Sequence, residues 1–195
     1  MKTLAHPQKS ARTLRLCSFV LFCTYLLLAP LSSAESLAAH THGVAHMTIA
    51  MADESIAVEI ISPAANLVGF EHQAQSEREV SAVKKATKIL HQPEKLLTFS
   101  GGECSLLDTE LDISALKPNA SDEHEHEHEH EHGEHHTDVV ARQEYRCKKN
   151  ALPSSAKATW LLHFPATERI ELMWIKQATQ GSATLTSENP KIDFK

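Results

Sequence analysis

Cysteine is scarce in this chain: four in 195 residues, with Cys17 and Cys23 inside the first 34 positions and only Cys104 and Cys147 beyond them. No C-x-x-C spacing occurs, which counts against a thiolate metal pair. G-x-S-x-G is absent, so the sequence offers no nucleophile elbow, and H-E-x-x-H occurs only as part of the repeat in one histidine-rich stretch. Positive charge is thin as well. Past residue 34 there are 15 Lys+Arg against 25 Asp+Glu, a formal charge of −10 over 161 residues. Such a chain is a poor nucleic-acid binder and a fair attractor of cations. Aromatics make up 5%, and Trp160 and Trp174 read as core packing rather than as a ligand platform.

A long apolar run occurs at the start. Lys2, Lys9, Arg12 and Arg15 precede the stretch 16–31, and Ser32-Ser33-Ala34 supplies a small-residue cleavage site. Residues 1–34 therefore read as a secretory signal peptide, with an uncleaved anchor as the alternative that the length of the run leaves open. Cleavage would leave a periplasmic chain, residues 35–195, with no stable membrane insertion. Neither Cys17 nor Cys23 follows the small residue that bacterial lipidation requires.

What the sequence has in abundance is histidine. Residues 122–136, DEHEHEHEHEHGEHH, hold seven of the chain's 14 histidines. Neutral imidazole ligates zinc, copper and nickel, and neighbouring carboxylates complete the shell or orient the ring. In an extended chain His124, His126, His128, His130 and His132 line one edge at roughly 6.5 to 7 Å spacing. In a helix, His124, His128 and His132 stack instead, and His126 pairs with His130. Either conformation gives chelating pairs, joined by His135 and His136, and neither selects one register. Several exchangeable sites are expected, with Zn2+ as cargo and Cu2+, Ni2+ or Co2+ also accepted in vitro. The plain alternative is a solvated, disordered acidic linker, and protonation would compete with metal below neutrality in either case.

Around this run the pattern is that of a folded domain. Val44 to Met51 and Ser55 to Ile61 read as two strands joined at Asp53-Glu54, the second alternating Ile56, Val58 and Ile60 with Ala57 and Glu59. Apolar positions near helical spacing from Ser76 to His91 predict an amphipathic helix, with Ser76 and Glu79 as a capping box and Pro93 as its stop. Ala158 to Phe164 is short and apolar. Arg169 to Lys176 carries apolar groups on both faces, which suits a central strand, and Gln180-Gly181 reads as the turn into a last strand, Ser182 to Thr186.

An even cysteine count in an oxidising compartment predicts one disulfide, Cys104 to Cys147, enclosing the histidine run. Strands over 104–113 and 138–148 would then flank a loop at 114–137. A bridge directly across an antiparallel pair sets Leu106 opposite Tyr145 and Glu110 opposite Ala141. The architecture expected is a single α+β domain: an antiparallel sheet, one main helix and a long disordered His/Glu-rich loop.

Four segments together resemble the ZrgA-type periplasmic zinc-binding family: AHTHGVAHMTIAM, SIAVEIISPAANLVGFEH, the histidine-rich insertion between two cysteine-bearing segments, and IELMWIKQATQGSATLTSENPKI. The likeness spans nearly all of the chain beyond the leader, and H-x-H-G-x-A-H and GFEH are its most specific parts. It implies an exported accessory, without catalytic activity, that captures zinc for an uptake system. The partners expected are zinc ions and the solute-binding protein of a zinc ABC transporter. The resemblance also draws attention to His40, His42, His46, Glu71 and His72 as a second candidate site. Their alternative reading is a solvated tail, a strand-surface histidine and a residue near the helix start. Two other functions stand beside metal capture with handover. One is a metal buffer or pH-responsive interaction protein without handover, the other a metalloenzyme using the His46 and His72 neighbourhood.

Overall fold

The computed structural model describes residues 41–118 and 137–195. The leader, His40 and all seven histidines of 122–136 fall outside them. Period-two alternation builds the first hairpin. In β1 (Val44–Ala52) and β2 (Ser55–Pro63) the residues Met47, Ile49, Met51, Ile56, Val58 and Ile60 are all buried. The turn places Asp53 at φ 51°, a left-handed conformation that Asp accepts better than most residues. After a one-turn helix, α1 (Ala65–Val68), the main helix α2 spans Glu77–Leu90. Its capping box is complete: Ser76 Oγ accepts from Glu79 N, and Glu79 Oε2 accepts from Ser76 N at 2.9 Å.

The remaining elements are β3 (Leu97–Ser100), β4 (Cys104–Asp112), β5 (Asp138–Cys147), β6 (Ser155–Ala158), a one-turn helix α3 (Trp160–His163), β7 (Arg169–Lys176), β8 (Thr179–Thr186) and β9 (Lys191–Asp193). Six strands form one sheet in the order β4-β5-β2-β1-β7-β8, and β3-β6-β9 form a second. The inner face of the larger sheet supplies Met47, Ile60 and Leu172 to a single apolar cluster. Val83 and Leu90 of α2, Leu97 and Ala158 of the small sheet, and Trp160 complete it. Trp160 is fully buried and donates Nε1–H to Thr167 Oγ1 at 2.9 Å, so its one polar atom is satisfied.

The disulfide joins Cys104 to Cys147, and β4 pairs antiparallel with β5 as expected, Leu106 opposite Tyr145. Beyond that point the register shifts. A β-bulge at Leu107 adds one residue to β4, so Glu110 faces Arg142 and Leu111 takes the place opposite Ala141. The sheet is mixed rather than purely antiparallel, because β1 and β7 run parallel, Val44 beside Arg169 through Met51 beside Lys176. The fold is accordingly richer in strand than the α+β expectation, with α2 the one long helix among the described residues.

Two further expectations are corrected. The β7–β8 turn lies at Gln177, φ 53°, not at Gln180-Gly181, which sit inside β8. Gly181 is required there for space: a Cβ would stand 2.7 Å from the Trp174 ring. Apolar groups on both faces of β7 did mark an interior strand, yet only Ile170, Leu172 and Trp174 are buried, and Met173 and Ile175 face outward.

Candidate metal centre

The residues ahead of β1 are held by one buried amide. Asn66, on α1 and 3% exposed, accepts from Gly43 N at 2.8 Å and donates to Val44 O at 3.0 Å and Ser62 Oγ at 3.1 Å. Gly43 needs its φ of 82°, and a Cβ would meet the Glu168 side chain at 3.0 Å. This anchor fixes where His42 emerges. α1 then ends at Gly69, φ 87°, and the chain turns through Phe70-Glu71-His72 toward the capping box of α2.

Three histidines of the described residues each meet a different carboxylate. His42 Nε2 lies 3.0 Å from Glu71 Oε1, His46 Nδ1 3.6 Å from Glu171 Oε2, and His72 Nε2 3.9 Å from Glu79 Oε1. Two ligands about 2.0 to 2.1 Å from a tetrahedral zinc stand roughly 3.3 Å apart, by simple trigonometry on those bond lengths. The first two pairs bracket that separation, so small side-chain movements let each grip one ion as an N/O chelate. The His72–Glu79 pair is wider, and Glu79 is committed elsewhere. Its Oε2 accepts from the main-chain NH groups of Gln75 and Ser76 at 2.8 and 2.9 Å. Those bonds, helped by the Ser76 hydroxyl and nearby His72, hold the Glu79 carboxyl below its ordinary range.

His72 is nonetheless arranged as a ligand. Nδ1 lies 3.0 Å from Gln73 O, and a carbonyl can only accept, so Nδ1 donates, and in the neutral ring Nε2 is left to present its lone pair. Fixing one ring nitrogen on a carbonyl while the other binds is the usual way a protein orients a metal-binding imidazole. Phe70 stacks on the ring, centroids 5.0 Å apart.

The same short segment grips both ends of the stretch that carries the histidine run. Thr137, just after it, donates its hydroxyl to Glu71 O at 2.8 Å and accepts at its own carbonyl from Ala64 N. On the other side, Gln73 Nε2 donates to Lys117 O at 2.8 Å, and Ala74 N to Leu116 O at 3.1 Å. Residues 71–74 thus tie down the chain on either side of 119–136. The disulfide lies at the opposite end of the β4–β5 pair.

Among the described residues, no three His, Cys, Asp or Glu side chains stand together as a metal site. His42 and Glu71 are brought into contact, with His72 the residue next to Glu71. His46 lies apart, on the outer face of β1, beside Glu171 of β7. Sequence reasoning missed Glu171, because a parallel pairing across more than a hundred residues leaves no local trace. It missed Asn66 and Thr137 because their partners Gly43, Val44 and Glu71 are brought to them only by the folding of separate segments. No helix among the described residues is long and apolar enough to cross a membrane.

No curated protein matches the chain. The family model for ZrgA family zinc uptake proteins matches residues 39–194, from the first histidine motif to the last strand. That span takes in both the folded histidine–carboxylate pairs and the histidine-rich insertion, and the chain belongs to the ZrgA family of zinc uptake proteins.

Proposed function

We propose that this protein is an exported, non-catalytic zinc-capture accessory. In this reading the histidines of 122–136 gather Zn2+ in weak, exchangeable sites, and the folded domain receives it at His42, Glu71 and His72. A periplasmic acceptor, the solute-binding protein of a zinc ABC transporter, then takes it over. The observation that carries the reading is the double attachment of Leu116, Lys117 and Thr137 to residues 71–74. It starts and ends the collecting segment beside the imidazoles of the folded domain. Ions held anywhere along 122–136 are then at a high effective concentration for those ligands, because both ends of the tether lie next to them.

The donor set fits the cargo. Imidazole nitrogen and carboxylate oxygen suit zinc, and an incomplete protein shell leaves positions for a histidine of the run or for water. Handover favours modest affinity: sites near micromolar, about −8 kcal/mol, load when zinc is plentiful and yield to a tighter acceptor. The neutral imidazoles must stay unprotonated to bind, so capture weakens on acidification.

Calorimetric zinc titration at neutral pH, on the chain from residue 35 and on the same chain lacking 122–136, tests the reading. Deletion is expected to remove several weak sites and to leave one tighter site. Unchanged binding in the deletion variant contradicts it.

A further inference from the structure

The outer face of the six-stranded sheet divides into two parts. From β4 through β5 to Glu59 of β2 it is charged: Arg142 Nε lies 2.7 Å from Glu59 Oε2, and its Nη1 3.6 Å from Glu110 Oε1. Over β1, β7 and β8 it is neutral along its middle. Thr48, Ala50, Met173, Ile175, Gln180 and Ser182 line a shallow hollow of about 500 Å³. Met173 and Ile175 are 62% and 53% exposed, which is unusual for large apolar side chains side by side on a sheet.

The two sheet edges are treated differently. β4 carries Asp108, Glu110 and Asp112 and a bulge, the devices that keep an edge from pairing with another chain. β8, TQGSATLT, has no charged residue at all. The unguarded edge and the neutral face belong to the same side of the molecule.

We infer that this face is the contact between two copies of the chain, packed sheet against sheet. Relief on the face is self-complementary. The registers set Met173 beside Thr48 and Ile175 beside Ala50, with Ala50 beside Ala57 of β2. A ridge of large side chains on β7 thus runs next to a trough at the small Thr48 and Ala50 of β1. A two-fold axis between β1 and β7 lowers each ridge into the other copy's trough, as in an isologous interface. The same offset leaves the β4–β5 side of each copy uncovered and sets the charged Glu59, His46 and Glu171 toward the margin of the contact, so an apolar centre acquires a polar rim. Four strands about 4.8 Å apart and eight residues of about 3.3 Å each give roughly 500 Å² per copy. The total of about 1,000 Å² lies at the lower limit for a specific interface, so dissociation in the micromolar range is expected.

Sedimentation velocity from about 1 to 500 µM, on the chain from residue 35 in the presence of chelator, tests the inference. The wild type is expected to pass from monomer to dimer with a micromolar midpoint. Met173→Asp with Ile175→Asp should weaken association at least fiftyfold, with an unchanged circular-dichroism spectrum. Leu162→Asp, at an exposed position on α3, should behave as wild type, and Ser182→Lys provides a milder charge on the face should the double variant fold poorly. A wild type that stays monomeric throughout overturns the assignment and leaves the face to a different protein. Dimers that need added zinc, or that survive both face variants, overturn it as well.

Discussion

Thr137 donates its hydroxyl to the main-chain carbonyl of Glu71, 66 positions earlier in the chain, at 2.8 Å. Glu71 is also the residue whose carboxylate meets His42. One residue therefore ties the His42 side chain to the point where the histidine-rich insertion rejoins β5. These attachments are made by residues outside 119–136, so the length and histidine count of the insertion can vary without removing them.

Replacing the proposed chelating pair, His42 and Glu71, should separate the two kinds of zinc site. His42→Ala and Glu71→Ala are each expected to weaken the tighter site at least tenfold, about 1.4 kcal/mol, while the number of weak sites stays the same. His46→Ala, whose carboxylate partner is Glu171 rather than Glu71, should leave that site within twofold. Calorimetry on the three variants checks this, and equal losses in all three would argue for one converged site instead.

Asn66 is expected to matter to both fold and site. Asn66→Ala leaves Gly43 N and Val44 O without their buried partner, and each unpaired group costs about 1 to 3 kcal/mol. Urea unfolding should show a loss of about 2 to 4 kcal/mol, accompanied by weaker zinc binding at His42. Full stability in the variant would mean that water replaces the amide.

The bridge between Cys104 and Cys147 spans 43 residues of sequence, the histidine-rich insertion included. Constraining a loop of that size in the unfolded chain is worth about 4 kcal/mol in the chain-entropy estimate. The double variant Cys104→Ser/Cys147→Ser should lower the urea midpoint accordingly, and deleting 122–136 should shrink the difference only slightly, since the dependence on loop length is logarithmic. A change below about 1 kcal/mol would contradict the entropic account.

Burial pushes the Tyr145 hydroxyl up to about 12, with the negative charge of Glu94 acting in the same direction. Unfolded tyrosine ionises near 10. The folded state keeps a proton that the unfolded state releases, so this contribution to stability is complete below about pH 10 and is lost as pH rises through about 12. In the chain from residue 35 Tyr145 is the sole tyrosine, which makes its phenolate absorbance a clean reporter. Ionisation should coincide with alkaline unfolding. Titration near 10 with the fold intact would show that the ring is solvated.

Much of this molecule was legible locally. Alternation over 55–61 marked β2, and Ser76 with Glu79 marked the start of α2 and its complete capping box. The cysteines fixed the β4–β5 pairing as far as Leu106. Each of these signals lies within a few residues or in a unique covalent partner. The signals that failed were long-range or ambiguous. Nothing near Leu107 announced the bulge that moved Glu110 from Ala141 to Arg142. Gly181 read as a turn because glycine is permissive, whereas its small size makes room for Trp174.

The sequence by itself determined the chemistry: alternating histidines and glutamates that offer metal-ligand donors in any conformation, strands set by period-two patterning, and two cysteines with only each other to pair with beyond the leader. Tertiary structure decided what meets what. The parallel pairing of β1 with β7 set Glu171 beside His46 and turned Met173 and Ile175 outward. The folding of residues 69–75 against Leu116, Lys117 and Thr137 set His42 beside Glu71. Contacts between residues far apart in the chain depend on how whole faces pack, and a local pattern of side chains carries no record of that.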